Sequence, residues 1–272
     1  MHTATHSLRK SSLALTLALI GAAATLPAQA ASVTLNSTLR DFCSEAFTAV
    51  AGCSNHYDFR NGPTGSVSGA VQSTLGADGK PVYNSPASSV FSTAANFNQW
   101  YRDTAGINKT SVQAITLNET SAGSGVYQYS NTSYFPLDGQ GWGNQGLSHN
   151  YHFTMELHTT FTYQAGQVFN FTGDDDVWVF INKQLVIDLG GIHGAASQGV
   201  NLDTLGLSAG TDYAFDFFFA ERHTTDSNLL ISTSIQFKDN TDNNVPEPAS
   251  LALSGIALAA AAGVAARRRR RG

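Results

Sequence analysis

The chain runs to 272 residues, with 15 Lys and Arg against 20 Asp and Glu and a formal net charge of −5. Seven of the basic residues lie near the two ends, so residues 31–244 hold 8 basic and 19 acidic side chains, a net charge of −11. So acidic a body argues against nucleic acid and anionic lipid as partners and is compatible with cations or neutral sugars, or with charge that serves solubility alone.

At the start, Arg9 and Lys10 precede an apolar run over 13–24, and Ala28-Gln29-Ala30 supplies small residues for cleavage. These are the parts of a secretory signal peptide over residues 1–30. The remaining body, 31–244, is long enough for one large domain. Gly, Ser, Thr, Asn and aromatic residues dominate it, turn signals recur at short intervals, and no strong amphipathic helix pattern occurs. That composition predicts an all-β fold, an antiparallel sandwich or barrel with long loops.

In chain order, a first strand is expected over 33–39. Cys43 and Cys53 follow, and two cysteines in an exported chain imply one disulfide closing a short loop, a constraint contributing about 2–3 kcal/mol. Residues 61–89 read as loop with short strands, and apolar spacing over 91–101 predicts one short helix. Strands are expected over 111–117 and 125–129. Between 152 and 161, alternation places Phe153, Met155 and Leu157 on one face and His152, Thr154, Glu156 and His158 on the other. That second face is either solvated or a transition-metal site. Further strands are expected over 168–172, 177–181, 185–189, 200–205, 213–220 and 229–237. Tyr213, Phe215, Phe217 and Phe219 share a face that reads as core, each contributing about 2–3 kcal/mol on burial. Tyr134 and Trp142, placed on loops, are the better candidates for stacking on a ligand.

One stretch carries the chemistry. Asp174, Asp175 and Asp176 stand together immediately before the apolar run 177–181. Three adjacent carboxylates repel one another, so a fold that keeps them together gives them a cation or leaves them in water. A carboxylate turn at the mouth of a buried strand is a plausible calcium site, with an acidic loop as the rival reading.

Several motifs in one order carry a family resemblance: Phe135-Pro136-Leu137-Asp138-Gly139, His149-Asn150-Tyr151-His152-Phe153-Thr154, Gly173-Asp174-Asp175-Asp176-Val177-Trp178, Asp188-Leu189-Gly190-Gly191-Ile192-His193 and Phe218-Phe219-Ala220-Glu221-Arg222-His223. Together they resemble the fibro-slime domain, which is similar to the protective-antigen-type β-sandwich of yeast flocculation adhesins. The resemblance implies a calcium held by two neighbouring aspartates joined by a cis peptide, with sugar hydroxyls on the ion. In this chain those are Asp174 and Asp175, or Asp175 and Asp176, completed from a later loop by Glu221 or Asn228. His193 and His223 are not part of the adhesin pattern. They are ligand-binding candidates, hydrogen-bond partners of the acidic turn, or core residues. Lys183 stands in the 182–184 hairpin where many relatives have glycine.

At the other end, Val245-Pro246-Glu247-Pro248, an apolar stretch over 249–266 and the arginines 267–271 resemble the PEP-CTERM sorting signal of Gram-negative bacteria. Residues 245–272 are therefore expected to be processed by an exosortase-type membrane enzyme. The 18 apolar residues would make ~27 Å of helix, near the minimum for a membrane span and the chain's one expected membrane contact.

No G-x-S-x-G elbow, phosphate-binding loop or H-E-x-x-H motif occurs. Glycoside hydrolysis needs two acids ~5–10 Å apart across a sugar, which one turn does not supply unless Glu221 is the second. The expected protein is not an enzyme. It is an exported surface or matrix module that binds extracellular polysaccharide with calcium, the alternative being a structural matrix protein.

Overall fold

The computed structural model describes residues 30–44, 47–59 and 62–241. The expected sorting tail, and the expected leader but for its last residue, lie outside them. Among the described residues no helix is long and apolar enough to cross a membrane.

The elements are β1 (Ser32–Phe42), β2 (Gly65–Ser66), α1 (Ala94–Phe97), β3 (Asn108–Glu119), β4 (Tyr127–Asn131), β5 (Phe153–Thr162), β6 (Val168–Asp174), β7 (Asp176–Ile181), β8 (Gln184–Leu189), β9 (Gly191–Ile192), β10 (Ala196–Asn201), β11 (Asp212–Glu221) and β12 (Asn228–Thr233). Ten of them form one sheet in the order β10-β6-β12-β4-β3-β1-β5-β11-β7-β8, every pairing antiparallel. The sheet folds over on itself. Phe169 and Phe171 of β6 meet Phe215 and Phe217 of β11 at ring-centroid distances of 5.0 and 5.5 Å, although several strands separate β6 from β11 in the sheet. Leu35, Leu39, Ile115, Met155 and Leu229 fill the space between the layers. This is the expected antiparallel sandwich, with its core built from the alternate residues of each strand.

Several boundaries differ from the sequence reading: the helix expected over 91–101 is only Ala94–Phe97, and β3 and β4 are shifted or extended by two or three residues. The strand expected over 200–205 lies at Ala196–Asn201 and gives way to a 3-10 turn, Leu202–Leu205, where the Asn201 side chain accepts from Asp203 N. The strand expected to reach residue 237 stops at Thr233. Ile235 and Phe237 stay in the core while the chain leaves β6 and crosses to β5, where Lys238 N donates to Thr160 O at 2.8 Å.

β7 is buried on both faces for a reason that strand position alone does not supply. Val177, Val179 and Ile181 enter the sandwich core, while Trp178 and Phe180 point outward into a second apolar cluster with Phe218, Phe91, Phe97 and Trp100. The long insert between β1 and β3 provides that cover. It contains the Cys43–Cys53 disulfide, with a Cα–Cα distance of 6.2 Å, and the short helix α1, capped by the Thr93 side chain.

The same insert corrects the reading of β5. Its outward face is largely covered, and only His158 remains half-exposed. Glu156 is buried and bonded to Arg40 Nη1 at 3.0 Å and Lys80 Nζ at 2.5 Å, and Thr154 donates to Trp100 O. His158 bonds Asp216 at 2.7 Å, and His152 is buried. Tyr134 is also core, with its hydroxyl on Met155 Sδ.

Arg222 ties the insert to the sheet. It is fully buried, its Nε donates to Asp176 Oδ2 at 2.6 Å, its Nη1 donates to Val90 O at 2.9 Å, and its guanidinium lies 4.7–4.8 Å from the Trp100 and Phe91 ring centroids. At the far end of β7, Asn182 and Lys183 form a two-residue turn with φ of 51° and 65°. Both are left-handed, as the favoured tight hairpin turns require.

Three outcomes follow. Arg222→Met leaves the Asp176 carboxylate buried and unpaired, with an expected loss of about 3–5 kcal/mol in urea unfolding, and Arg222→Lys does not restore it because an ammonium lacks the planar fork. Lys183→Gly removes a left-handed side-chain penalty and is expected to raise stability by about 1 kcal/mol. Burial opposes ionisation of Glu156, but the His158 hydrogen bond and the Arg40 and Lys80 charges hold it down to about 2. Its folded value lies below its unfolded one, so its contribution is complete above about 4.5 and is lost as pH falls towards 2. Glu156→Gln is therefore expected to cost about 3 kcal/mol at pH 7 and nothing at pH 2, measured by denaturation across that range.

Candidate functional site: the acidic turn between β6 and β7

The three aspartates fall on three different pieces of backbone: Asp174 ends β6, Asp176 begins β7, and Asp175 stands between them. The peptide bond between Asp174 and Asp175 is cis. Each carboxylate meets a different loop. Asp174 accepts from Asn228 N at 2.5 Å and Asn228 Nδ2 at 3.1 Å. Asp175 accepts from His193 N at 3.1 Å and Arg222 N at 3.0 Å. Asp176 accepts from Gly191 N at 2.5 Å as well as from Arg222.

A cleft of about 420 Å³ opens beside this turn. Asp174, Asp175, His193, His223 and Asp226 line it, and Thr64 to Ser66 form the opposite wall. Asp176 does not line it. Of the three aspartates only Asp174 and Asp175 face the cleft, because the third carboxylate is turned inward to an arginine. The opposite wall depends on Gly191, where β9 pairs with β2: its φ is +107°, and a Cβ there would stand 2.1 Å from Gly65 O.

Burial opposes ionisation throughout the site. Burial pushes Asp175 up to about 8 despite the nearby Arg222 charge, and burial also raises Asp174. Glu221 is fully buried; burial, then the Asp175 charge, carry it well above the usual carboxylate range. Its Oε1 accepts from His223 N at 3.3 Å, while its buried Oε2 has only the nearby Ser227 hydroxyl, which lowers the pKa but makes no well-formed hydrogen bond. Asp174, Asp175, Glu221 and Asn228 are thus gathered at one place, although 54 residues separate Asp174 from Asn228. Among the described residues no three His, Cys, Asp or Glu side chains are drawn close enough to make a metal cage by themselves. A cation here would therefore also need the Asn228 amide oxygen or backbone carbonyls, which hard cations accept.

The histidines are wall residues, not core. His193 Nδ1 lies 2.9 Å from Gly194 O, and burial followed by the Arg222 charge lowers the pKa of His223. Trp142 is not in the cleft. Its backbone N donates to Asp41 and the Lys109 ammonium sits 3.8 Å over its ring, so one face is already covered. The sequence reading missed Arg222, Thr64, Ser66 and Asp226. Arg222 carried a signal, as one of 8 basic residues in the body and flanked by Glu221 and His223. The wall residues carried none, because nothing in a Gly- and Ser-rich loop says what it packs beside.

Comparison with known proteins places the chain. Residues 112–248 match the PA14 domain, and residues 244–271 match the PEP-CTERM protein-sorting motif. The chain is similar to two Dictyostelium discoideum proteins. It is 46% identical to protein psiQ over 187 residues, 64% of this chain and 19% of psiQ. It is 45% identical to protein psiR over 202 residues, 68% of this chain and 20% of psiR. It thus spans about a fifth of the length of these relatives. Among solved structures it is similar to a PA14 sugar-binding domain from an RTX adhesin, with a TM-score of 0.33 and 10% identity over 75% of this chain and 94% of that one. With a family match across half of its length, the chain belongs to the PA14 domain family and carries a PEP-CTERM sorting motif.

Proposed function

We propose that the protein is an exported cell-surface or matrix module of fibro-slime type that binds extracellular glycan through a calcium ion at the acidic turn. The observation that carries this reading is Glu221 Oε2, buried without a well-formed hydrogen bond beside two carboxylates whose ionisation burial already opposes. A cation offsets that repulsion, and an all-oxygen donor set suits calcium better than a transition metal. Asp174, Asp175, Glu221 and Asn228 would hold the ion from the protein side. Its open side would face the cleft, where vicinal sugar hydroxyls replace water, with His193, His223 and Asp226 within the same walls. The domain is residues 31–244, and the tail from 245 directs the chain to an exosortase-type enzyme for anchoring or release at the surface. Binding through one such site is weak, so display of many copies gives adhesion.

Binding is favoured over hydrolysis. Glu221, the carboxylate that could have faced Asp175 across a sugar, is fully buried and does not line the cleft.

Calcium is expected to raise the melting temperature of the leader-free protein, and chelator to reverse the rise. Glu221→Gln separates this from a purely structural role. In chelator the buried Glu221 carboxyl holds its proton, so the variant is expected to melt close to the parent. In millimolar calcium the parent melts above the variant, because it gains an ion that the variant holds poorly. Calcium-dependent signals on a glycan array, lost in Asp174→Asn, complete the test. No calcium stabilisation up to millimolar concentration would sink the ion; stabilisation without any glycan signal would leave a structural matrix protein.

A further inference from the structure

Glu119 ends β3 beside the start of β1. Its backbone N donates to Ala31 O at 2.8 Å and its Oε2 accepts from Ala31 N at 3.0 Å, so one glutamate holds the residue before β1 through both main chain and side chain. Its Oε1 accepts from Gly125 N at 2.8 Å. These N–H groups, Ala31 first, hold the Glu119 carboxyl below the usual range, so it is charged at neutral pH. Glu119 is nevertheless 9% exposed, and among the described residues no Lys, Arg or His forms an ion pair with it. Glu156 and Asp176, which are also buried, have such partners.

A shielded carboxylate met by neutral donors alone is short of a counter-ion. Its position says where one arises, because Ala31 is the first residue after the expected leader, 1–30. Ala30 and Ala31 are both exposed and precede β1, so the bond between them lies outside the sheet. Hydrolysis by a leader peptidase puts the oxygen of a water on the Ala30 carbonyl carbon as the C–N bond breaks. Ala30 leaves as a carboxylate, and Ala31 N takes both protons of the water and becomes an α-ammonium. The neutral donor 3.0 Å from Glu119 Oε2 thereby turns into a cation in place.

We propose that Glu119 is the receptor for the amino terminus that leader cleavage creates, so that removal of residues 1–30 and locking of β1 are one event. This rests on the leader reading of those residues. β1 stands between β3 and β5 within the ten-stranded sheet, so a charge-assisted contact at its entrance opposes fraying of a strand on which both neighbours depend. The form that still carries its leader lacks that contact, and the exported form has it.

Mass spectrometry of the exported protein is expected to find Ala31 at its amino terminus. That protein is then compared with an otherwise identical form carrying Gly-Ser before Ala31, which keeps a neutral amide at this position. The Ala31-terminated form is expected to melt about 2 °C higher, the scale of one ion pair at the protein surface. Glu119→Gln is expected to abolish that difference. An α-amino group titrates near ~8 when unfolded and higher when paired, so the difference is complete below about 8 and is lost as pH rises through the folded value. At the acid end it is lost as pH falls through the lowered Glu119 value. Nitrogen-15 NMR titration of the Ala31 amine supplies a readout that a merely structural glutamate would not move: a raised pKa in the parent, returned to the ordinary range by Glu119→Gln. Equal melting of the two forms, or a difference and a raised amine pKa that survive Glu119→Gln, overturns the receptor while leaving the leader reading intact. A mature amino terminus at any other residue removes both.

Discussion

Asp176 and Arg222 form an ion pair with neither side chain exposed to solvent. Removing two charges from water is costly, and further hydrogen bonds offset part of that cost. Here Gly191 N and Val90 O supply two, the faces of Phe91 and Trp100 flank the guanidinium, and Arg222 Nη2 is buried without a hydrogen-bond partner. The pair joins the start of β7, the chain just after β11 and the insert at one point. With Arg222 fixed, its backbone N–H stands 3.0 Å from Asp175 Oδ2, so the interaction that closes the second core also aims a carboxylate of the cleft.

Three identical residues in succession thereby acquire three different situations. Asp174, at the end of β6, is met by Asn228 from the neighbouring strand. Asp175, in the turn, is pinned by two backbone N–H groups, yet burial still pushes its pKa up to about 8. Asp176 points inward and is neutralised. One arginine for three aspartates and a buried glutamate leaves carboxyls at the cleft whose ionisation is unsupported by a cation. That imbalance, not the number of acids, distinguishes the turn from the Glu156 cluster, where Arg40 and Lys80 hold the carboxylate ionised.

The insert between β1 and β3 serves both packing and surface chemistry. Its aromatic residues cover the outer face of β7 and β11, and its β2 segment, paired with β9, is the far wall of the cleft. The glycine at 191 permits that approach, since any side chain there would meet Gly65 O. Stability of the second core and shape of the cleft are therefore coupled through one segment with little regular secondary structure of its own.

The sequence by itself determined the all-β class, most strand positions, the core face of β5 and β11, the short helix and the acidic turn. Each of these rests on local periodicity or on adjacent residues. Alternation showed that Phe215, Phe217 and Phe219 share a face, but not that the outward residues Thr154 and Glu156 would be covered, because the cover comes from an insert without a strong pattern. Likewise Asp174 to Asp176 announced concentrated charge. Which of them face the cleft was decided only by the tertiary structure, through an arginine 46 positions later. Trp142 shows the same limit: a loop aromatic does not reveal its neighbour, and here that neighbour is Lys109. Periodicity is a property of a segment, whereas charge compensation and burial depend on which distant segments arrive, and only the folded chain sets those meetings.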